Sequence, residues 1–239
     1  MISQFFEFGI PGLLLNKAII SPTVHMILMV VGVLITIVSS YLLGSLNFAI
    51  IISKRFYHSD IRNYGSGNAG MTNMMRTFGK SAAGFTLLGD ALKAFVSCLI
   101  GYATMGTIGA YIGGLFCIMG HMFPIFYKFK GGKGVVTAAI TILMCNPFVF
   151  LILFGLFVII VAGTKFISLG SIVCVMLFPI LLNRMDVLFN GTPGMHHVIA
   201  ILISALIVFM HRENIKRLYH GKENKFSFKK STKIGRAHV

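Results

Sequence analysis

Residues 65–80, GSGNAGMTNMMRTFGK, form a polar segment between two apolar runs that are long enough to cross a membrane. The glycines in this segment permit positive φ angles and let a ligand approach the backbone closely. Its hydroxyl and amide side chains offer hydrogen bonds, and Arg76 offers a planar cation. This composition suits the binding of an oxyanion, but a loop that contains glycine only because it turns would look much the same. The rest of the chain has to decide between the two interpretations.

The composition predicts a polytopic membrane protein. Hydrophobic residues make up 56% of the 239 residues and charged residues only 11%, compared with about 25% charged residues in soluble domains. The net charge of +15 could indicate nucleic-acid binding, but the basic residues lie between or after apolar runs and not along one soluble face. We therefore predict no nucleic-acid partner and a lipid bilayer as the environment.

The cysteines are isolated within apolar runs, at Cys98, Cys117, Cys145 and Cys174. None has a cysteine or histidine neighbour at a spacing typical of a metal site or a disulfide framework. We predict no metal and no cofactor, and we expect the cysteines to pack as small apolar side chains.

The apolar runs predict an all-α fold with about seven transmembrane helices, some of them short or re-entrant. A crossing needs roughly 20 residues, and the runs cover residues 25–53, 82–105, 108–123, 135–145, 148–162, 167–182 and 197–210. Asn146 and Pro147 interrupt residues 135–162. Because proline removes a backbone donor and clashes with the preceding turn, we interpret this stretch as two crossings.

With seven crossings, most of the basic residues lie on one side of the membrane. Residues 54–80, residues 128–133 and the tail from Arg212 then share a side, as the positive-inside rule requires. A single crossing over residues 135–162 would place the tail on the opposite side. We therefore predict a multi-pass protein of the plasma membrane, with its active site at the cytoplasmic membrane interface.

The chain divides into three parts by composition. Residues 1–23 form an N-terminal extension that lacks the basic start and cleavage site of a signal peptide. Residues 24–223 form the integral membrane domain, and residues 224–239 form a basic C-terminal tail. Residues 234–239, IGRAHV, match the translation of a sequencing-adapter read-through, and we suspect that they are not native.

A second polar segment, GHMFPIFYKFKGGKGVVT, occupies residues 120–137. Lys130, Gly131, Gly132 and Lys133 precede the short apolar run at 135–145, whose N-terminal end would carry a positive partial charge. The Walker pattern G-x-x-x-x-G-K-[ST] is not met, so nucleotide hydrolysis is not predicted. The lysines alone would fit ordinary positive-inside charge, but together with the glycines they favour a phosphate-binding loop.

A third polar segment, HRENIKRLYHGK, occupies residues 211–222, where the last apolar run ends. His211 and Asn214 are three positions apart and share a helical face. A histidine at a helix end is often an ordinary interfacial residue, but this one would lie on the same side as the other two polar segments.

Asp90 and Lys93 lie inside the apolar run 82–105, three positions apart on one helical face. Unpaired charges are costly within a membrane. We therefore predict an intramembrane ion pair that fixes helix packing and takes no direct part in catalysis.

The three polar segments, in this order and at these spacings, resemble the three motifs of the bacterial membrane acyl-phosphate:glycerol-3-phosphate acyltransferases. The resemblance covers about residues 41–223. It implies transfer of a fatty acyl group from acyl phosphate to the 1-hydroxyl of sn-glycerol 3-phosphate, which yields lysophosphatidic acid and phosphate, the first committed step of bacterial phospholipid synthesis. The implied partners are these two small molecules, the bilayer and the soluble enzyme that makes acyl phosphate.

The match to the motifs also implies the site residues. The implied catalytic residues are Ser66, Arg76, Lys133 and His211. The implied substrate-binding residues are Gly65, Gly67, Asn68, Thr72, Asn73, Lys130, Gly131, Gly132 and Asn214. Asn47, by contrast, stands where many relatives have proline.

The sequence contains neither an evident Ser-His-Asp or Cys-His arrangement nor an H-x-x-x-x-D motif. This fits a donor that is already activated and needs no covalent intermediate. The base that takes the hydroxyl proton is either His211 or an oxygen of the acyl phosphate. Two other classes remain open: a transporter or channel for a phosphate-containing solute, which intramembrane charges would suit, and a lipid-binding structural protein, which leaves the polar segments unexplained.

Overall fold

The computed structural model describes residues 2–17, 19–192 and 194–226, and every regular element among them is helical. The α-helices are α1 (Ile2–Asn16), α2 (Pro22–Ser45), α3 (Phe48–Tyr57), α4 (Met71–Phe78), α5 (Lys80–Met122), α6 (Val135–Cys145), α7 (Pro147–Thr164), α8 (Ile167–Asn190), α9 (His196–Met210) and α10 (Arg212–Tyr219). The predicted all-α fold is confirmed. The tail that we suspect is not native, residues 234–239, lies outside the described residues.

Four stretches of the described chain are long and apolar enough to cross a membrane, namely Pro22–Tyr57, Lys80–Tyr127, Pro147–Thr164 and Ile167–Phe189. The pair formed by α9 and α10, bent by 57°, would be a fifth, and α6 is a shorter apolar helix. The protein is therefore a multi-pass membrane protein, while the count of seven crossings stays a prediction.

Helix α5 folds back on itself, so that its two halves pack antiparallel. Met105 and Gly106 leave the helical conformation, and Gly106 has a φ of 62°. The halves approach so closely that a Cβ on Gly101 would lie 2.0 Å from the carbonyl oxygen of Gly109, and a Cβ on Gly113 would lie 2.3 Å from that of Ser97. This confirms the predicted break between the apolar runs 82–105 and 108–123.

The apolar run 25–53, predicted as one helix, is broken into α2 and α3. Asn47 caps α3, because its side-chain Oδ1 accepts a hydrogen bond from the backbone N–H of Ile50 at 3.1 Å. The end of α2 is stabilised from α5, where Lys93 Nζ donates to the carbonyl oxygens of Gly44 at 3.0 Å and Leu46 at 2.8 Å. The prediction of one continuous helix was wrong because a polar cap and a buried lysine together favour the break, although residues 22–57 together remain one candidate crossing.

The predicted ion pair is present inside the bundle. Lys93 Nζ lies 2.8 Å from Asp90 Oδ1 and 2.9 Å from His121 Nδ1, and all three side chains are buried. Since Lys93 also binds the carbonyl oxygens at the end of α2, this cluster ties the two halves of α5 to α2.

Helices α8 and α9 run antiparallel and carry the site residues at one end. They are joined midway by Ser204, whose hydroxyl donates to the carbonyl oxygen of Val175 at 2.7 Å. Consequently Ser168, at the start of α8, and His211, after the end of α9, lie at the same end of the pair.

Candidate active site

The first polar segment consists of a loop, residues 65–70, followed by helix α4, and the loop closes around the side chain of Asn73 on α4. Its Oδ1 accepts the backbone N–H of Ser66 at 3.0 Å. Its Nδ2 lies within hydrogen-bonding distance of the carbonyl oxygens of Tyr64 (2.9 Å), Asn68 (3.1 Å) and Ile61 (3.3 Å). Asn73 is buried and its amide is used by the loop, so these contacts favour a positioning role over the substrate contact predicted from the sequence.

Two glycines give this loop its shape. Gly65 and Gly67 have φ angles of 58° and 70°, in the left-handed region that glycine adopts without strain. A Cβ on Gly65 would also lie 2.2 Å from Asn73 Oδ1. Gly65 is therefore required by the closure of the loop around Asn73.

We expect Asn73→Ala to destabilise the protein by about 2–4 kcal/mol, because buried polar groups of the loop lose their partners. Asn73→Asp should cost at least as much, since a carboxylate would face the backbone carbonyls. Equilibrium unfolding in mixed micelles measures both changes. Asn63→Ala, at an exposed position just before the same loop, is the matched control, and equal stability of the Asn63→Ala and Asn73→Ala variants would contradict the positioning role.

The glycine pair of the second polar segment packs against His121. The backbone N–H groups of Gly131 and Gly132 donate to the carbonyl oxygens of Met122 and His121, both at 3.1 Å. A Cβ on Gly132 would lie 2.2 Å from His121 Nε2. The amides of both glycines are engaged by the end of α5, so these contacts favour close packing as the reason for glycine here, and the predicted contact with substrate stays a prediction.

Arg62 joins the residues just before the first polar segment to the second polar segment, and sequence reasoning missed it. Its Nε and Nη2 donate to the carboxylate of Asp60 at 2.9 and 2.7 Å, and its Nη1 donates to the carbonyl oxygens of Tyr127 and Lys130 at 3.0 and 3.2 Å. The hydrogen bond from Arg62 is the main reason that the pKa of Asp60 falls to about 2. The D-x-R spacing at residues 60–62 was the available signal.

Lys133 and Asn214 bring the second and third polar segments into contact. Lys133 Nζ donates to Asn214 Oδ1, and Asn214 Nδ2 donates to Glu223 Oε1 at 2.8 Å. His211 is buried, and its Nδ1 lies 2.8 Å from the carbonyl oxygen of Ile207. Because a carbonyl can only accept, Nδ1 carries the hydrogen and Nε2 is the basic nitrogen of the neutral ring.

Glu223 is the acceptor at the centre of this group, and the sequence analysis did not assign it a role. Besides Asn214, it accepts hydrogen bonds from Ser168 Oγ at 3.0 Å and Arg217 Nε at 2.8 Å. Burial acts to raise the pKa of this carboxyl, but the hydrogen bonds outweigh it and hold the pKa below its usual value. Ser168, Arg217 and Glu223 were missed because they meet only through the return of the chain after α10.

Three cations surround this single carboxylate: Arg76, Lys133 and Arg217 form what we term the cationic cluster. Burial and then repulsion from Arg217 lower the pKa of Lys133 to about 8. Burial likewise lowers the pKa of Arg76, although Glu223 opposes the shift. Arg76 Nη2 donates to the backbone carbonyl of Asn224 at 3.4 Å. The cluster is partly buried, and its three cations outnumber the single carboxylate. Because it therefore carries excess positive charge, it is suited to binding an anion.

The remaining predicted residues differ in their exposure. Ser66, Gly67 and Lys130 are exposed, while Asn68 and Thr72 are half-buried. Within the part of the chain that the structure describes, no side-chain hydrogen bond or ion pair joins Ser66, Thr72 or Lys130 to the cationic cluster. Arg76, Lys133, His211 and Asn214 are thus the predicted residues that the fold brings together.

Comparison with known proteins gives consistent matches. A family model described as glycerol-3-phosphate acyltransferase matches residues 34–221. The chain is 40% identical to the glycerol-3-phosphate acyltransferase of Thermoanaerobacter sp. (strain X514), over 83% of this chain and 98% of the relative. It is also 40% identical to glycerol-3-phosphate acyltransferase 2 of Bacillus anthracis, over 80% of this chain and 98% of the relative.

Two solved structures are also similar. One is the glycerol 3-phosphate form of PlsY (YgiH), an integral membrane glycerol 3-phosphate acyltransferase, with a TM-score of 0.74 and 36% identity over 82% of this chain and 96% of that one. The other is the lysophosphatidic acid form, with a TM-score of 0.71 and 35% identity over the same shares. Helix α1 and the first half of α2 precede the residues matched by the family model.

Proposed function

Because the chain belongs to the glycerol-3-phosphate acyltransferase family and is an acyltransferase, we propose that it moves a fatty acyl group from acyl phosphate to the 1-hydroxyl of sn-glycerol 3-phosphate. The products are lysophosphatidic acid and inorganic phosphate. The transporter and structural-protein alternatives are set aside, because the family consists of enzymes. The cationic cluster is the observation that carries the proposal, since both substrates present phosphate groups.

In this proposal the cationic cluster binds the phosphate of glycerol 3-phosphate and directs its 1-hydroxyl at the acyl carbonyl carbon. The hydroxyl oxygen forms the new ester bond, and the bond from the carbonyl carbon to the phosphate oxygen breaks. The acyl phosphate is already activated, so catalysis consists of positioning the two anions and stabilising the developing charge. Arg76 and Lys133 supply that charge stabilisation.

The proton of the 1-hydroxyl goes either to His211 Nε2 or to an oxygen of the acyl phosphate. We expect His211→Ala to separate the two, with the pH profile of turnover as the measurement. If His211 is the base, turnover falls by about 10²–10⁴-fold. Survival of turnover with an unchanged profile would eliminate the histidine and leave the acyl phosphate as its own base.

The pH dependence of kcat/KM is expected to report the charge of Lys133. With a pKa of about 8, the lysine cation is present at lower pH and is lost as the pH rises through that value. The substrate phosphate becomes a dianion above about pH 6, so activity should be highest between the two values. In the Lys133→Arg variant, the fall of kcat/KM at high pH should disappear because arginine stays protonated. If the fall at high pH persists unchanged in this variant, it reports the titration of another group.

The acyl donor is tested by supplying labelled glycerol 3-phosphate with acyl phosphate, acyl-coenzyme A or acyl carrier protein in turn. We expect labelled lysophosphatidic acid only with acyl phosphate. The reaction would then need no surface that binds a carrier protein. If lysophosphatidic acid forms with either thioester donor and not with acyl phosphate, the proposed donor is wrong. The assignment to the acyltransferase family would still stand.

We also propose that the cationic cluster faces the cytoplasm of a bacterial cell, where the soluble enzyme that makes acyl phosphate would deliver its product. The positive-inside distribution of the three basic segments supports this orientation. A Lys222→Cys variant, at an exposed position beside the cluster, should react with a membrane-impermeant thiol reagent in inside-out vesicles and not in intact spheroplasts. Reaction in intact spheroplasts and not in inside-out vesicles would show that the cationic cluster faces away from the cytoplasm.

A further inference from the structure

A second polar cluster lies at the ends of α8 and α9 that are remote from the cationic cluster. Asp186 is near the end of α8, and His196 and His197 begin α9. Asp186 is 18 residues beyond Ser168, and His196 is 15 residues before His211. At 1.5 Å per residue, the two clusters are roughly 22–27 Å apart. The proposed reaction uses none of the residues of this second cluster.

The three side chains point their ligand atoms at a common place. Asp186 Oδ2 lies 2.6 Å from His196 Nε2 and 3.5 Å from His197 Nε2, and all three atoms lie within 4.8 Å of one another. Metal–ligand bonds of about 2.0–2.1 Å in a tetrahedral zinc site place neighbouring ligand atoms about 3.3 Å apart. Side-chain shifts of about 1 Å would therefore bring the three atoms to ligand distances.

The hydrogen bonding of His197 favours metal binding. Its Nδ1 lies 2.6 Å from the carbonyl oxygen of Gly194, so Nδ1 carries the hydrogen and, in the neutral ring, Nε2 presents a lone pair to Asp186. That Nε2 is buried and has no hydrogen-bond partner among the described residues. A lone pair facing a carboxylate is unfavourable without a cation between them. A backbone carbonyl on the far nitrogen is also the usual partner of a metal-bound histidine.

The ring of His196 is held in place as well. It stacks on Tyr111 of α5, with 4.9 Å between ring centroids and 5° between planes. Asp186 and His197 are largely buried, with side chains 9% and 13% exposed, while that of His196 is 20% exposed. The ligands are thus fixed by packing, and one side of the cluster stays open to solvent.

We propose that Asp186, His196 and His197 bind one divalent transition-metal ion of the Zn²⁺ class, with water in the remaining position. Two imidazole nitrogens and one carboxylate oxygen form a ligand set that this class prefers and that Mg²⁺ and Ca²⁺ do not. The ion joins the end of α8 to the start of α9, so its role is structural. The sequence pattern did not predict it, because only the turn between these helices brings Asp186 to the histidines.

The test is metal binding by the detergent-solubilised protein, prepared without a polyhistidine tag. We expect one Co²⁺ per chain with the visible absorption of a low-coordinate site, displacement of Co²⁺ by Zn²⁺, and a rise in the thermal unfolding temperature with Zn²⁺. His197→Ala should weaken binding by at least about 100-fold, since even the loss of a supporting group around a metal costs 10–100-fold. Asp186→Asn keeps the side-chain shape and should also weaken it.

His220→Ala is the matched control, because His220 is an exposed histidine at the other end of the bundle. This variant should bind Co²⁺ as the unaltered protein does. Absence of saturable one-to-one binding in the unaltered protein would overturn the proposal. The proposal would also be overturned if the His197→Ala and Asp186→Asn variants bound Co²⁺ as tightly as the unaltered protein does. That result would show that the bound ion is adventitious.

Discussion

Lys133→Met is expected to lower kcat/KM for glycerol 3-phosphate by about 10²–10³-fold, the usual cost of removing one charge-stabilising group from an active site. Methionine keeps most of the length of the side chain and removes the charge together with the hydrogen-bond donors. Asn214 then loses its contact with the Lys133 ammonium, while its bond to Glu223 remains. Initial rates at varied glycerol 3-phosphate, with acyl phosphate saturating, measure the change.

Lys128→Met is the control for this variant. Lys128 is an exposed lysine of the same polar segment that has no part in the proposed site, so its loss should change kcat/KM less than about threefold, as surface charges contribute little. Equal losses in the two variants would mean that the basic segment acts through general charge. In that case the cationic cluster would not be the substrate site.

Lys93→Met is expected to have the largest effect on stability, lowering the free energy of unfolding by about 3–5 kcal/mol. Asp90 would be left as an uncompensated charge in the interior, because its carboxylate lies 2.8 Å from Lys93 Nζ. The carbonyl oxygens of Gly44 and Leu46 would also lose their donor. Equilibrium unfolding in mixed micelles is the measurement, with exposed Lys165→Met as the control.

The double variant Asp90→Asn/Lys93→Met separates charge from packing. It should be more stable than Lys93→Met alone, because no unpaired charge remains in the bundle. If the free energy of unfolding that the double variant loses equals the sum of the losses in Asp90→Asn and Lys93→Met, the two residues do not interact energetically. In that case the ion pair does not fix the packing of α5 against α2.

The sequence predicted the structure best where the type of residue by itself restricts the possible structures. Long apolar runs predicted the helices, and the charges at 90 and 93 predicted an ion pair because the membrane interior permits few other arrangements. The fold-back of α5 was also visible, as a gap between two apolar runs near Gly106. The number of crossings is less well determined, since α6 is only 11 residues long.

Single hydrogen bonds could not be predicted from the sequence. Asn73 and the pair Gly131 and Gly132 belong to the polar motifs, yet their polar groups are engaged by the backbone of the protein itself. A motif shows that a residue type is suited to a place, but not whether its donors face a ligand or the backbone. Glu223 was overlooked for a related reason, because its importance depends on contacts between distant parts of the chain.

The most direct test of the account is phosphate release by the purified protein in lipid, given palmitoyl phosphate and glycerol 3-phosphate, with each omitted in turn. We predict release only when both are present, with one lysophosphatidic acid formed for each phosphate, and loss of both signals in Lys133→Met. Release of phosphate without glycerol 3-phosphate, or lysophosphatidic acid formed without phosphate, would contradict direct transfer from acyl phosphate.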